Sequence, residues 1–492
     1  MKNYKEFFKN KKVTVVGLGL LGKRLGDILF LLEMGAIVTV TDLKKKGELK
    51  YSVNKIEKYV KEKNLESNIS YTFGEHRFED FENKDFILKG QGVPLDSVYI
   101  KHARGKNIPI EMDESLFMKL AHNLNLDVKI IGVTGTRGKS TTTMLIYEIL
   151  KQVYMNNPST SFGIKKLSVF LGGNIKGTAV LPLLKNIKNG DIVVFELSSW
   201  QLQGFGEDKI SPHISVFTNF MPDHLNYYGS ATLTTSQAIQ RYFKDKSYIY
   251  KYQKESDYLV LGEKMLKDSA IAQIFDIKKI KAKKVIAKVS DVPKNWKVKL
   301  LGVHNKQNIM CAVEVARILK IKESVIKKVV ESFTGAPGRL ELVKEIKGVK
   351  IYNDTNATTP EATIAALEAL SGVGHPKSSV SNTRQASKVI LIMGGMDKGL
   401  DVKKLKKILA KKTKKIFLTP GSGSDKIEAE ETEESKAFFY KMANLKEAVE
   451  KAYKESKNGD TILFSPAFAS FNMFKNEYDR GEQFMKIVKK FK

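Results

Sequence analysis

Residues 128–143 read Val128-Lys-Ile-Ile-Gly-Val-Thr-Gly135-Thr136-Arg137-Gly138-Lys139-Ser140-Thr141-Thr-Thr. An apolar run breaks into a glycine loop, and an apolar-periodic helix begins near Ser140. Successive backbone N–H groups in such a loop, backed by a helix N-terminus, cradle a polyphosphate. Lys139 would meet the terminal phosphates, and the hydroxyl of Ser140 or Thr141 would hold Mg2+. The general P-loop spacing asks for glycine where Val133 stands, so the loop is a shortened variant.

Two further strand ends carry polar chemistry. Glu196-Leu-Ser-Ser-Trp-Gln201 follows the apolar run from Ile192, and a carboxylate there suits Mg2+. Thr218-Asn-Phe-Met-Pro-Asp223-His224 follows the run from Ile214. Taken alone, either could be a surface acid or a capped turn. Near the start, Gly17-Leu18-Gly19-Leu20-Leu21-Gly22 follows the run Val13–Val16. Asp42 lies about 20 residues further on, at the end of a second strand, as in a dinucleotide-binding βαβ unit.

The elements that must position these loops alternate throughout: short β-rich apolar runs, then helical stretches, the pattern of parallel α/β folds. Three blocks follow one another, 1–127, 128–336 and 337–492. Strands are expected at Val128–Val133, Ile192–Phe195, Ile214–Thr218 and Tyr258–Leu261 in the second block. In the third they are expected at Val349–Tyr352, Val389–Met393, Ile416–Leu418 and Thr461–Phe464. The stretch Gly372–Ser387 lacks periodicity and reads as an insertion.

With 492 residues the chain exceeds what a single core supports, roughly 250–300 residues. One cysteine, Cys311, excludes a disulfide framework and a multi-cysteine zinc site; it reads as a core residue. The seven histidines show no metal-ligand spacing. No apolar run approaches the roughly 18 residues of a membrane span, and Val13–Leu21 reads as strand and turn, not as a signal peptide. A cytoplasmic protein, without membrane insertion, is expected. The 83 Lys and Arg against 54 Asp and Glu leave +29, but the lysines fall in scattered doublets and triplets without aromatic interleaving. Solvated faces explain them better than nucleic acid does.

Together, Thr134–Thr141, Glu196–Gln201 and Thr218–Leu225 resemble the motifs of Mur ligases, ATP-dependent amide-bond synthetases of peptidoglycan precursors. So do Leu301-Gly-Val-His-Asn305-Lys-Gln-Asn308, Gly335-Ala-Pro-Gly-Arg339-Leu-Glu341 and Asn353-Asp354-Thr-Asn-Ala-Thr358. The shortened P-loop is the one that family uses. The resemblance implies three domains: a Rossmann-like UDP-binding domain, a central P-loop ATPase domain with a mostly parallel sheet, and a Rossmann-like C-terminal domain that binds the amino acid. The tail Ser465-Pro-Ala-Phe-Ala-Ser470-Phe471-Asn-Met-Phe, ending in Asp479-Arg480-Gly481, resembles the branch that joins D-glutamate to UDP-N-acetylmuramoyl-L-alanine. The expected reaction is ATP-dependent and ADP-forming, through an acyl phosphate, in a monomer.

Residue by residue, the resemblance implies ATP on Gly135–Thr141, with Asn305 at adenine and Arg339 and Asp354 at phosphate and ribose. Two Mg2+ ions would use Ser140, Thr141, Glu196, His224 and a carbamylated lysine. Lys246 aligns with that lysine best, with Lys244 in reserve. The UDP-substrate would meet Gly17–Leu21, Asp42 and Asn174. Lys398 would pair with the glutamate carboxylate, and Thr358, Ser470 and Phe471 would line that pocket. Gly338 and Asn356 stand where the family has His and Lys, which puts amino-acid specificity in question. The rival readings are another Mur-type ligase with a different amino acid or a folate acceptor, a basic nucleic-acid-binding P-loop NTPase or inert scaffold, and a nicotinamide-binding first domain.

Overall fold

The computed structural model describes residues 3–19, 22–155, 167–175, 177–229, 233–267, 271, 274–371, 389–429, 438–470 and 473–491. Leu20, Leu21, Phe471 and the 372–387 stretch therefore lie outside the described residues. The chain divides into two compact units, Met1–Val292 with Gln307–Val329, and Pro293–Lys306 with Val330–Lys492.

The first unit carries two sheets. Strands β1 (Lys12–Val16), β2 (Ile37–Asp42), β3 (Ile69–Phe73), β4 (Phe86–Lys89) and β5 (Ile110–Glu111) pair in parallel in the order 3-2-1-4-5. The order reverses at β1, so the glycine turn after β1 opens beside the loop after β4. Ligands of open α/β sheets enter at such a crevice. Strands β6 (Lys129–Thr134), β7 (Val169–Gly173), β8 (Ile192–Glu196), β9 (Ile214–Phe217), β10 (Tyr258–Gly262) and β11 (Lys283–Ala287) form the second sheet, ordered 11-10-9-6-8-7 and wholly parallel. Helices cover both faces, which is why β8 and β9 are buried at every residue and mostly apolar, Glu196 and Ser215 being the exceptions.

The second unit holds β12 (Glu341–Ile346), β13 (Val349–Asn353), β14 (Val389–Gly394), β15 (Lys415–Thr419), β16 (Phe439–Lys441) and β17 (Thr461–Phe464), ordered 12-13-17-14-15-16. Only the β12–β13 pair is antiparallel; the other pairs run parallel. The strands expected in the second and third blocks all form, each within a residue or so of its expected ends. Six strands were not expected from the sequence: β3, β5, β7, β11, β12 and β16. No helix among the described residues is long and apolar enough to cross a membrane.

Candidate active site

Strand order brings the three polar loops together. β6 lies between β8 and β9, so the P-loop, Glu196 and the Thr218–His224 loop leave three adjacent strands at the same sheet edge. Val133 pairs with Glu196, and Thr134 with Phe217. Residues distant in sequence thus become neighbours through register alone.

The P-loop backbone is shaped by contacts that only glycine allows. Gly138 has φ +83°, and a β-carbon there would stand 2.1 Å from the Asn308 Oδ1. Gly135 has φ +148°, and a β-carbon would come within 2.0 Å of the Thr218 Oγ1. Around this frame, Thr218 Oγ1 donates to the Arg137 carbonyl at 2.6 Å. Arg137 N–H donates to Asn219 Oδ1 at 2.9 Å. Thr136 Oγ1 donates to the Met221 carbonyl at 3.1 Å and lies 3.3 Å from the Tyr242 hydroxyl. Lys139 starts the helix Lys139–Tyr154, with its Nζ donating to the Gly135 and Thr136 carbonyls at 3.0 and 3.1 Å. Thr141 is buried and Ser140 half-buried in the first turn of that helix.

Glu196 is buried, and its Oε1 accepts from Asn174 Nδ2 at 3.1 Å. Asn174, expected on the UDP-substrate, therefore stands against the carboxylate expected to hold metal. Lys246, on the helix Thr235–Lys251, is 1% exposed; its Nζ donates to the Gly135 carbonyl at 2.9 Å and lies 4.9 Å from the centre of the Tyr242 ring. Burial, reinforced by the Lys139 cation, holds its pKa well below the usual lysine range. Lys246 is thus a buried amine beside the P-loop, as a carbamylated lysine would need. His224, with φ +55°, packs on Trp200 at 4.7 Å between ring centres. Burial lowers its pKa, which favours the neutral, ligating imidazole.

At the first sheet's crevice, Gly19 N–H donates to Asp42 Oδ2 at 3.1 Å, so the glycine turn is held by the acid that ends β2. Leu18 is buried beside it. In the second unit, Asp354 is buried and accepts from Ser465 Oγ at 2.8 Å and from Leu340 N–H at 3.0 Å. Burial, partly offset by these two donors, pushes its pKa up to about 7. Lys398 is exposed, with Nζ 3.4 Å from Thr358 Oγ1, and Ser470 is buried nearby in the chain that pairs Ala469 with Met396. Arg339 is exposed and its charge acts on Asp354, and Asn305 donates to the Leu301 carbonyl at 2.8 Å.

Two residues without an assigned sequence role shape these sites. Asn308 fills the space under Gly138, and its carbonyl accepts from Thr142 Oγ1 at 3.4 Å. Arg480 is 2% exposed and donates to the Phe468 and Thr355 carbonyls at 3.1 and 2.9 Å, tying the tail to the Asp354 loop. Both were in motifs carrying the resemblance, but only contacts reveal what they hold.

Polyphosphate and Mg2+ fit this donor set. Gly135 and Gly138, where a β-carbon would strike Thr218 and Asn308, let the loop backbone pack tightly against the protein and present its N–H groups outward. Among the described residues no three His, Cys, Asp or Glu side chains converge as a metal cage. Mg2+ does not ask for one: it takes one or two carboxylates, hydroxyls and substrate phosphates.

Comparison with known proteins agrees with this architecture. The Mur ligase middle domain matches residues 133–316, and the Mur ligase glutamate ligase domain matches residues 338–468. A UDP-N-acetylmuramoylalanine–D-glutamate ligase of Borreliella burgdorferi (strain ZS7) is 32% identical over 499 residues, covering 98% of each chain. One from Clostridium kluyveri (strain NBRC 12016) is 34% identical over 508 residues, covering 99% of this chain and 98% of the relative. Among solved structures, a UDP-N-acetylmuramate–alanine ligase from Thermotoga maritima shares the fold with a TM-score of 0.55 at 18% identity, covering 97% of this chain and 99% of that one. With both domain patterns and full-length relatives matched, and with three loops of one parallel sheet holding the expected residues, this chain belongs to the Mur ligase family.

Proposed function

We propose that the protein joins D-glutamate to UDP-N-acetylmuramoyl-L-alanine at the expense of ATP, forming ADP and phosphate during peptidoglycan precursor synthesis. The observation that carries this reading is full-length similarity to D-glutamate ligases, combined with Lys139, Glu196 and His224 on three adjacent strand ends. The three-block division 1–127, 128–336 and 337–492 goes with it, as does work in the cytoplasm by a monomer.

Phosphoryl transfer needs positioning and charge neutralisation more than covalent help from the protein. The Gly135–Thr141 amides and Lys139 would bind the phosphates, with Asn305, Arg339 and Asp354 serving adenine, phosphate and ribose. Ser140, Thr141, Glu196, His224 and a carbamylated Lys246 are the residues that would hold two Mg2+ ions. Bound there, the metal would neutralise charge on the transferring phosphoryl group. The substrate carboxylate accepts that group, giving an acyl phosphate; the amine of D-glutamate attacks the acyl carbon and phosphate leaves. Gly17–Leu21 and Asp42 would hold the uridylate, and Asn174 the muramoyl end. Lys398, Thr358, Ser470 and Phe471 would orient D-glutamate.

The test is phosphate release from ATP with UDP-N-acetylmuramoyl-L-alanine and D-glutamate, L-glutamate or no amino acid. Release that needs both substrates and prefers D-glutamate is expected. Release with another amino acid overturns the specificity, and none from folded protein overturns the activity.

A further inference from the structure

Within the first unit, a buried charged cluster joins the glycine-turn helix to the loop that follows Glu196. Glu114 sits in the first turn of the helix Asp113–Asn123, where the helix N-terminus favours negative charge, and it is wholly buried. Its Oε1 accepts from Lys23 Nζ at 2.5 Å, and Lys23 opens the helix directly after Gly22. The same Oε1 accepts from Gln201 Nε2. Gln201 is wholly buried too, and its Oε1 takes both the N–H and the Oγ–H of Ser198 at 2.8 Å each. Ser198 stands two residues after Glu196.

The hydrogen-bond chemistry allows one arrangement here. Because the Gln201 oxygen is occupied by two Ser198 donors, its NH2 must face an acceptor, and Glu114 supplies it. A buried ion pair adds little net stability compared with apolar packing, so stability alone gives this cluster no reason to exist. What it does fix is geometry: Lys23, Glu114, Gln201 and Ser198 form one unbroken chain of polar contacts from the glycine turn to Ser198, in the turn after the Glu196 strand.

The geometry points to Glu114 as a positioning residue: through Gln201 and Ser198 it fixes the backbone turn that follows Glu196, and so where that carboxylate can meet the metal, and through Lys23 it ties this turn to the uridylate turn. This rests on the proposed reading of Glu196 as a Mg2+ ligand. Residues that orient metal ligands change metal affinity when lost, without touching the ion.

The experiment measures Mn2+ binding by electron paramagnetic resonance, in full-length protein saturated with a non-hydrolysable ATP analogue. Glu114→Ala is expected to weaken Mn2+ binding about tenfold, and the exchange Glu114→Gln with Gln201→Glu to return it to within about twofold of wild type. The exchange keeps every donor, every acceptor and the net charge, so it also decides the matter if Glu114→Ala fails to fold. Wild-type binding in Glu114→Ala, or no recovery in the exchange, overturns the inference. Glu196→Gln separates the two readings. If it abolishes Mn2+ binding while Glu114→Ala does not affect it, only the positioning role fails. If Glu196→Gln binds Mn2+ normally, the metal-ligand reading fails and the inference with it.

Discussion

Asn174 Nδ2 donates to Glu196 Oε1 at 3.1 Å, across the ends of the neighbouring strands β7 and β8. A hydrogen bond to a charged acceptor contributes more than a neutral one, about 1.5–3 kcal/mol. Asn174→Ala frees the carboxylate to rotate. We expect the Mg2+ concentration for half-maximal phosphate release to rise several-fold, with ATP affinity at saturating Mg2+ little changed. A Mg2+ titration showing the wild-type midpoint would remove Asn174 from the metal's surroundings.

Gly138→Ala meets two obstacles at once, the left-handed φ of +83° and the Asn308 side chain 2.1 Å from the new carbon. Strain of this kind costs on the order of 1–3 kcal/mol and distorts the amides that would bind phosphate. Calorimetric titration with an ATP analogue should show binding weakened by at least tenfold while the circular dichroism spectrum is retained. Unchanged affinity would mean that the nucleotide does not use this loop.

Lys246 offers a test with opposite signs for stability and activity. Burial lowers its pKa in the folded state, so the unfolded chain binds the extra proton and stability rises with pH up to the usual lysine range. Lys246→Met removes that penalty. It should melt at a higher temperature than wild type at neutral pH, show a flatter stability profile in the alkaline range, and lose phosphate release. Wild type incubated with 13C-bicarbonate should show a carbamate carbon resonance that the variant lacks. A variant that retains full turnover would end the catalytic reading of this lysine.

Asp354 carries the reverse linkage. Its pKa is pushed up to about 7 by burial, so the folded state holds a proton that the unfolded chain releases near pH 4. Its contribution to stability is therefore full below about pH 4 and is lost as pH rises to about 7. Asp354→Asn should flatten that slope, with the amide oxygen accepting from Leu340 N–H and the amide NH2 donating to a Ser465 hydroxyl turned to accept. Denaturant titrations at pH 5 and pH 7.5 would read the change, and equal slopes in the two proteins would place the titration elsewhere.

Glycine turns and buried strands were legible in the sequence because each has a local cause. Gly135 and Gly138 need positive φ, and β8 and β9 are mostly apolar and buried at every residue because helices cover both faces. The edge strands were not. β11 is Lys-Lys-Val-Ile-Ala and β3 is Ile-Ser-Tyr-Thr-Phe, each with one sheet neighbour and partial exposure, so their composition is that of surface. Gln201 and Glu114 illustrate the harder limit. Their contact spans 87 positions and depends on how two helices pack, which no local pattern encodes. Lys89 belongs with them: a lysine interior to the fold, donating to the Gly90 and Val93 carbonyls, looks in sequence like any surface lysine.

In the third sheet, β17 (Thr461–Phe464) lies between β13 and β14, although more than sixty residues separate it from β14 in the chain. During synthesis, β13 and β14 emerge with the seat between them vacant and their inner edges unpaired. The sheet closes only after residue 464 has cleared the ribosome. Until then the nascent second unit exposes strand edges that invite wrong partners. Nascent chains stalled before residue 461 should therefore be protease-sensitive in this unit, and extending the stall point by a few tens of residues should convert them to a resistant form. The last strand made is the keystone of the sheet that carries Asp354, Lys398 and Ser470.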